Sequence, residues 1–474
     1  MFLFTYITRL DPTLRVLTKT IALSVILRIY TIAVCSPFTE FFDYWNKTCE
    51  SLPKTIPKDS SFHHETLIFF NKDEFCRAKN VSPILWALVV PFISFDGERF
   101  LKIATDDVTY NFEHNGPFFP GFPSIIRISG DVFQFFYRKF VGSEIPPRII
   151  CMAIGGLVVN NIAFVLASLV LYYVVLNFDS GKYKDVAEDT AFWFSLNPSA
   201  IHSNSLYTES LFSLSVNLST LLLIKSESSH NMLKYILEFI AIVLLAFSGT
   251  LRSNGIFYLA PLFFYKLRNW GYLEIFCSLS FGFNILIRSI IYWGIAAIEA
   301  IIVIIPFVLF ETKLYFLFCV FKDGLIYDHD LIRPWCKSTL PFSYSFIQKE
   351  YWDVSFLWVL KEPERIHRLG YALPVFIPAI ELIISKIRSI KINFSCLKSH
   401  EIGYFISFFF TFITFLIYAH CEVFMRQTLS HHIFFIHISM LIKKNTTYSI
   451  LIKSFFVLYF FIGATLFGLR IGWT

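Results

Sequence analysis

Of 474 residues, 55% are hydrophobic and only 16% charged; phenylalanine supplies 57 of them, and the formal net charge is +6. With a mean hydropathy of +0.59, a soluble chain would have nowhere to bury its apolar surface. That excludes a disordered chain, a collagen and a small disulfide scaffold, speaks against a three-domain cytosolic enzyme, and leaves a multi-spanning membrane protein. The 41 basic and 35 acidic residues form no block that would make a nucleic-acid groove, so the basic excess reads as positive-inside loop charge. Nine cysteines show no CxxC or Cys/His ligand spacing, so no structural metal and no cofactor is expected.

In chain order, Arg9, Arg15 and Lys19 outweigh Asp11 ahead of an apolar run to Val34. This reads as an uncleaved signal-anchor helix with its N-terminus in the cytosol. Residues 37–145 form the longest polar region, a first lumenal loop with sequons at Asn46 and Asn80. Cys49 and Cys76 there are close enough in one stretch to be candidates for a disulfide in an oxidising lumen, or else remain free. The piece Ile84–Ile93 falls short of the ~20 residues a span needs and reads as interfacial.

The run Ile149–Leu176 crosses to Lys182 and Lys184. The next stretch breaks at NPSAIHSNSLYTE, where a Pro and polar residues favour a turn, and then runs on to Lys225. From Lys234 the chain rises to TLRSNG and returns to Lys266 and Arg268; Ile256–Tyr265 is short for a full span and suits either a half-helix or a tilted neighbour. Residues 272–321 hold one crossing or three. A second large polar loop covers 322–368, and a span over Gly403–Ala419 follows the basic stretch Lys386–Lys398. That span delivers HCEVFMR, after which a short run descends to Lys443 and Lys444. Basic loops thus alternate with polar motifs, which puts every motif on the side of the first loop. The expectation is one all-α polytopic domain over 1–474, with about 11 transmembrane helices (roughly 8 to 13) and two larger lumenal loops.

Four stretches can carry chemistry. FDGERF with Asp96, Glu98 and Arg99 is followed by Asp106, Asp107 and then Glu113, His114 and a proline-rich aromatic segment. A carboxylate against an apolar wall can act as a general base; the alternative is a solvated loop with interface aromatics. The segment from Asn197 through Tyr207 to Glu209 puts an ionisable group at the start of an apolar run, which is either functional or a carboxylate at a helix N-terminus. In TLRSNG, Arg252 suits a phosphate, or else pairs with Glu209 as a structural ion pair, with Asn254 alongside. Around PWC and SFIQKEYWD, the residues Trp335, Gln348, Tyr351 and Trp352 suit a sugar face or a headgroup-level helix equally. Finally, His420 and Arg426 flank Glu422, while His431 and His432 are expected at a membrane interface.

Taken together, EHNGPFFPGFPSIIR, NPSAIHSNSLYTESLF, GTLRSNG, PWC with PFSYSFIQKEYWDVSFL, HCEVFMR and the closing GWT resemble, in order, the GPI mannosyltransferase 2 family. The resemblance implies a class C glycosyltransferase architecture in the endoplasmic reticulum membrane. It also implies dolichyl-phosphate mannose as donor and a mannosyl-glucosaminyl-acylphosphatidylinositol as acceptor. A small accessory membrane subunit is a candidate partner, and no nucleic acid is expected. Asp96 matches the family's probable general base, although Phe95 stands where Trp is usual and Gly97 and Arg99 replace Ala and His. Arg252 and Arg426 would steady the leaving phosphate. Glu98, Glu113, His114, Asn197, Tyr207, Glu209, Asn254, Trp335, Gln348, Tyr351, Trp352 and His420 would bind substrate. The implied reaction is inverting transfer of a second mannose in α-1,6 linkage. The rivals are another lumenal dolichyl-phosphate-sugar-dependent glycosyltransferase and a non-catalytic lipid or sugar transporter; no repeat is visible to favour the latter.

Overall fold

The computed structural model describes residues 10–35, 88–105, 110, 112–142, 146–269, 283–320, 333–362, 365–392 and 399–472. Cys49, Cys76, Asn46, Asn80, Asp106, Asp107 and Asn393 lie outside these residues. Among those described, every regular element is helical. The helices are α1 (Pro12–Cys35), α2 (Asp96–Thr105), α3 (Gly121–Phe140), α4 (Arg148–Asn177), α5 (Ala187–Ser195), α6 (Ala200–Asn204), α7 (Glu209–Glu227) and α8 (Asn231–Leu251). They continue as α9 (Leu259–Asn269), α10 (Phe283–Tyr315), α11 (Ser343–Trp352), α12 (Ile366–Ile392), α13 (Glu401–Ile417), α14 (Phe424–Gln427), α15 (His432–Lys443) and α16 (Thr447–Gly468).

Six stretches are long and apolar enough to cross a membrane, in α1, α4, α8, α10, α12 and α16, while α13 and α15 are apolar but shorter. These six are the long apolar helices among the described residues; the sequence reading of about 11 also admitted shorter runs and used the alternation of basic loops. Two of the apolar stretches are not one continuous helix. Asn197-Pro198 separates α5 from α6, and a 3-10 segment Ser253–Tyr258 precedes the short α9. Residues 283–315 form one helix that continues as a π-turn to Val320, so the described part of the ambiguous run holds a single crossing.

The two ends of α7 show how the bundle is polarised. At its C-terminal end, Lys182 and Lys386 pair with Glu401, and Arg268 pairs with Glu227 beside His400. The basic loops therefore converge on one end. At the N-terminal end, about 28 Å away for a 19-residue helix, lie the polar motifs. Lys266 departs from this pattern: its ammonium is buried inside, between Glu238 of α8 and Glu299 of α10.

In lipid, helices gain little from hydrophobicity toward one another, so close packing by small residues matters. One close approach of backbones is between α3 and α4. A Cβ on Gly155 would lie 2.5 Å from the backbone of Ser129, and one on Gly130 would lie 2.5 Å from Met152. Backbone cannot yield as a flexible side chain can, so Gly155→Ala is expected to cost about 1–3 kcal/mol. A lowered melting temperature in detergent checks it; an unchanged one would mean the helices are not this close.

Elsewhere phenylalanines fill the seams, as where Phe424 stacks on Phe376 at 4.8 Å and meets Phe412 edge-on at 5.6 Å. Two expectations are corrected here. His431 and His432 are 2% and 1% exposed, packed on Tyr258 and between Phe178 and Tyr404, so they belong to the interior and not to an interface. The described end of Ile84–Ile93 is likewise interior, with Val89, Val90, Phe92 and Ile93 buried, because the Phe92 carbonyl accepts the Leu206 N–H at 2.8 Å.

Candidate active site

Two clusters assemble at the polar end. In the first, Phe95 takes a left-handed backbone conformation (φ 56°), and the chain then enters α2 with Asp96 as its first residue. Held there, Asp96 benefits from the helix N-terminus. Its backbone N–H donates to the Tyr207 hydroxyl at 3.1 Å, and the Tyr207 hydroxyl donates to the Ser94 carbonyl. The Asp96 carboxylate stays 28% exposed and accepts from Arg426 Nη2 at 3.0 Å.

Arg426 is the hub. Its Nε donates to Glu209 Oε1 at 2.6 Å, and its guanidinium lies 4.8 Å from the Tyr207 ring centre. Glu209, 1% exposed at the first turn of α7, also receives Arg252 at 2.9 Å, and Arg252 reaches the Thr208 hydroxyl at 3.4 Å. Both alternatives for Glu209 and Arg252 thus come together: a carboxylate at a helix N-terminus, and an Arg paired with it. Because burying a charge is costly without partners, the four groups form one chain of alternating sign. Asn254 joins this layer by donating to Gln427 Oε1 at 2.9 Å.

The second cluster centres on Glu113, which is 4% exposed. Trp335 Nε1 donates to one oxygen, Tyr351 donates to the other at 2.7 Å, and Arg333 lies 3.3 Å away. The disulfide Cys319–Cys336 ties the PWC turn to the end of the long helix α10. His114 stacks near Phe112 and Tyr351; burial, with Arg99 and Lys102 nearby, pushes its imidazole down to about 4, so it is neutral at neutral pH. Trp352 donates to the His114 carbonyl, carries Arg99 on its ring at 4.7 Å, and its own carbonyl contacts His420 at 3.0 Å. His420 stacks on Trp358 at 4.1 Å. Beside it, burial alone would raise the Glu422 carboxyl, but hydrogen bonds from His420 and Arg368 outweigh that and hold it near 2. The clusters touch where Ser253 bonds Tyr344 at 2.7 Å, with Gln348 also bonded to Tyr344.

Glu113→Gln replaces an acceptor that serves three donors with an amide that offers hydrogens to them. It is expected to loosen the 333–352 segment by about 1–3 kcal/mol. Faster limited proteolysis within that segment checks it, and an unchanged cleavage pattern would show that the segment is held by other contacts.

Two expected site residues point elsewhere. Asn197 spends both ends of its amide on local backbone, accepting from Ser199 N–H at 2.7 Å and donating to the Phe194 carbonyl at 2.6 Å; it shapes the turn between α5 and α6. Glu98 is taken by Arg470 at the end of α16, since a residue two positions along a helix faces away from Asp96. Arg333, Tyr344 and Thr208 lie in the polar stretches read from sequence but were given no role there, and Gln427 was not named; each acquires its partner from a distant segment.

A bundle of apolar helices with a carboxylate–guanidinium chain and an aromatic-walled second cluster at one end defines a polytopic membrane protein with a polar site at its margin. The model of the mannosyltransferase (PIG-V) family matches residues 60–401. This chain belongs to that family. It is 28% identical over 313 residues to a GPI mannosyltransferase 2 of Cryptococcus neoformans, which covers 65% of this chain and 64% of that relative. It is 24% identical over 306 residues to the GPI alpha-1,6-mannosyltransferase 2 of Rattus norvegicus, covering 61% of this chain and 56% of that protein. The human protein of the same name is 25% identical over 281 residues, covering 56% and 51%. The chain therefore matches less than two thirds of the length of these curated relatives. Among solved structures, the apo oligosaccharyltransferase of Archaeoglobus fulgidus aligns with 87% of this chain and 56% of its own, at 12% identity and a TM-score of 0.39, too loose a likeness to bear on the site.

Proposed function

We propose that this protein transfers the second mannose of a GPI-anchor precursor, in α-1,6 linkage, from dolichyl-phosphate mannose to the one-mannose acceptor. The reaction runs at the lumenal face of the endoplasmic reticulum, with the N-terminus in the cytosol. Membership of a mannosyltransferase family and the names of the relatives support the reaction class. The convergence of the basic loops on the end opposite Asp96 supports the orientation. The observation that carries the mechanism is the partly exposed Asp96 carboxylate sharing Arg426 with the buried Glu209.

In this reading Asp96 accepts the proton of the acceptor's 6-hydroxyl as that oxygen attacks C1 of the donor mannose. The bond from C1 to the phosphate oxygen breaks on the opposite face, so the β-linked sugar becomes α-linked. Dolichyl phosphate departs with the electron pair. It needs charge stabilisation more than a proton, which Arg426 and Arg252 supply. Glu209 keeps both guanidiniums in place, and a phosphate drawing Arg426 toward itself frees Asp96 to act as a base. The Trp335, Tyr351 and Trp352 wall receives the acceptor sugar.

The test is complementation of cells lacking GPI mannosyltransferase 2, with lipid profiling. Restored surface display of a GPI-anchored reporter and disappearance of one-mannose precursors supports the reading. A well-expressed protein that leaves those precursors in place overturns it.

A further inference from the structure

Arg28 is a cation that the site described above does not use. It sits on α1 at a seam with α4, and its aliphatic neighbours on the two helices face outward: Val25 is 48% exposed, Ile29 63%, Val158 50% and Ile162 54%. In a bundle of this composition those are surfaces for lipid tails. Arg28 Nε donates to Asn161 Oδ1 at 3.2 Å, Nη2 donates to the Asn204 carbonyl at 2.8 Å, and the guanidinium lies 4.6 Å from the Phe92 ring centre. These partners are all neutral. Among the described residues no carboxylate pairs with Arg28, whereas Arg252, Arg426, Arg368 and Arg470 each have one.

A neutral side chain such as Gln could satisfy the Asn204 carbonyl without bringing a charge to a lipid-facing seam, so the hydrogen bonds do not account for the charge itself. These bonds hold one edge of the guanidinium, Nε with Nη2, by neutral groups, and its Nη1 end is left for an anion, which a phosphate oxygen suits. The position ties it to the site. Phe92, beneath the guanidinium, accepts from Leu206 N–H at 2.8 Å; the next residue, Tyr207, takes the Asp96 N–H at 3.1 Å.

We infer that Arg28 forms a second, laterally open anion site that holds the phosphate of a lipid substrate while its sugar reaches toward Asp96. The inference rests on the proposed reaction, in which donor and acceptor lipids each carry a phosphate, and it adds a binding residue outside the Arg252–Arg426 pair.

The experiment uses the full chain in detergent as wild type, Arg28→Lys and Arg28→Gln. Donor and acceptor are varied separately in transfer assays, and dolichyl phosphate and phosphatidylinositol serve as probes in thermal-shift measurements. Arg28→Gln is expected to raise KM for one lipid about tenfold with kcat nearly unchanged, with Arg28→Lys recovering part of the loss. The stabilisation given by the matching probe should fall in parallel. A donor effect paired with dolichyl phosphate, or an acceptor effect paired with phosphatidylinositol, identifies which lipid it is. Unchanged KM for both lipids together with unchanged probe shifts overturns the inference, as does a fall in kcat alone. If wild type transfers no mannose, the proposed reaction fails, and the probe shifts still decide whether Arg28 binds a lipid phosphate. Should Arg28→Gln not fold, the same comparison is made with Arg28→Lys.

Discussion

Asp96→Asn is expected to reduce mannosyl transfer by about 10²–10⁴-fold in kcat while leaving the protein folded. The reason is specific to the geometry. The Asn side-chain carbonyl oxygen can still accept from Arg426 Nη2, the bond Asp96 makes at 3.0 Å, so the guanidinium keeps its place and only the proton acceptor is lost. The backbone anchor, Asp96 N–H to Tyr207, is untouched by the change. Steady-state transfer with purified protein checks it, beside a melting curve to establish folding. Near-wild-type turnover would remove Asp96 as the base and turn attention to another group near the exposed edge of the cluster.

The second large effect is at Arg426. Arg426→Gln leaves Glu209, 1% exposed, with Arg252 as its sole charged partner among the described residues; Glu209 Oε2 already has no hydrogen-bond partner there. Removing one of its two guanidiniums leaves the buried carboxylate only partly compensated, which costs about 1–3 kcal/mol. If Arg426 also stabilises departing phosphate, transfer falls by a further factor of about 10²–10³. The double substitution Arg426→Gln with Glu209→Gln separates the two roles. Neutralising the under-compensated carboxylate should return part of the stability, and activity should stay low. Recovery of both would reduce Arg426 to a counter-ion for Glu209.

Both predictions depend on contacts between segments far apart in the chain. Arg426 and Asp96 are separated by 330 residues, and Trp335 and Glu113 by 222. From sequence, each appeared as a polar motif beside an apolar run, and the rule that an ionisable residue at membrane depth is a candidate pointed to Glu209 and Arg252, which the fold joins in one ion pair. The substrate group expected from sequence also held Asn197 and Glu98, and both spend their polar atoms on other groups of the protein. A side chain's availability depends on what already occupies its polar atoms, and for Asn197 that is its own turn, for Glu98 the distant Arg470.

Hydropathy and charge act over a few residues at a time, and what depends on them was legible in the sequence: a helical membrane protein, the break at Asn197-Pro198, a half-helix near Ile256–Tyr265, and the sorting of basic loops from polar motifs. Tertiary structure decided the rest. The burial of His431 and His432, the withdrawal of Lys266 between two glutamates, the joining of Cys319 to Cys336, and the isolation of Arg28 from any described carboxylate are results of packing. Each depends on which helix face meets which, and the free energy that fixes those faces comes from contacts spread over the whole bundle, which no local window of sequence contains.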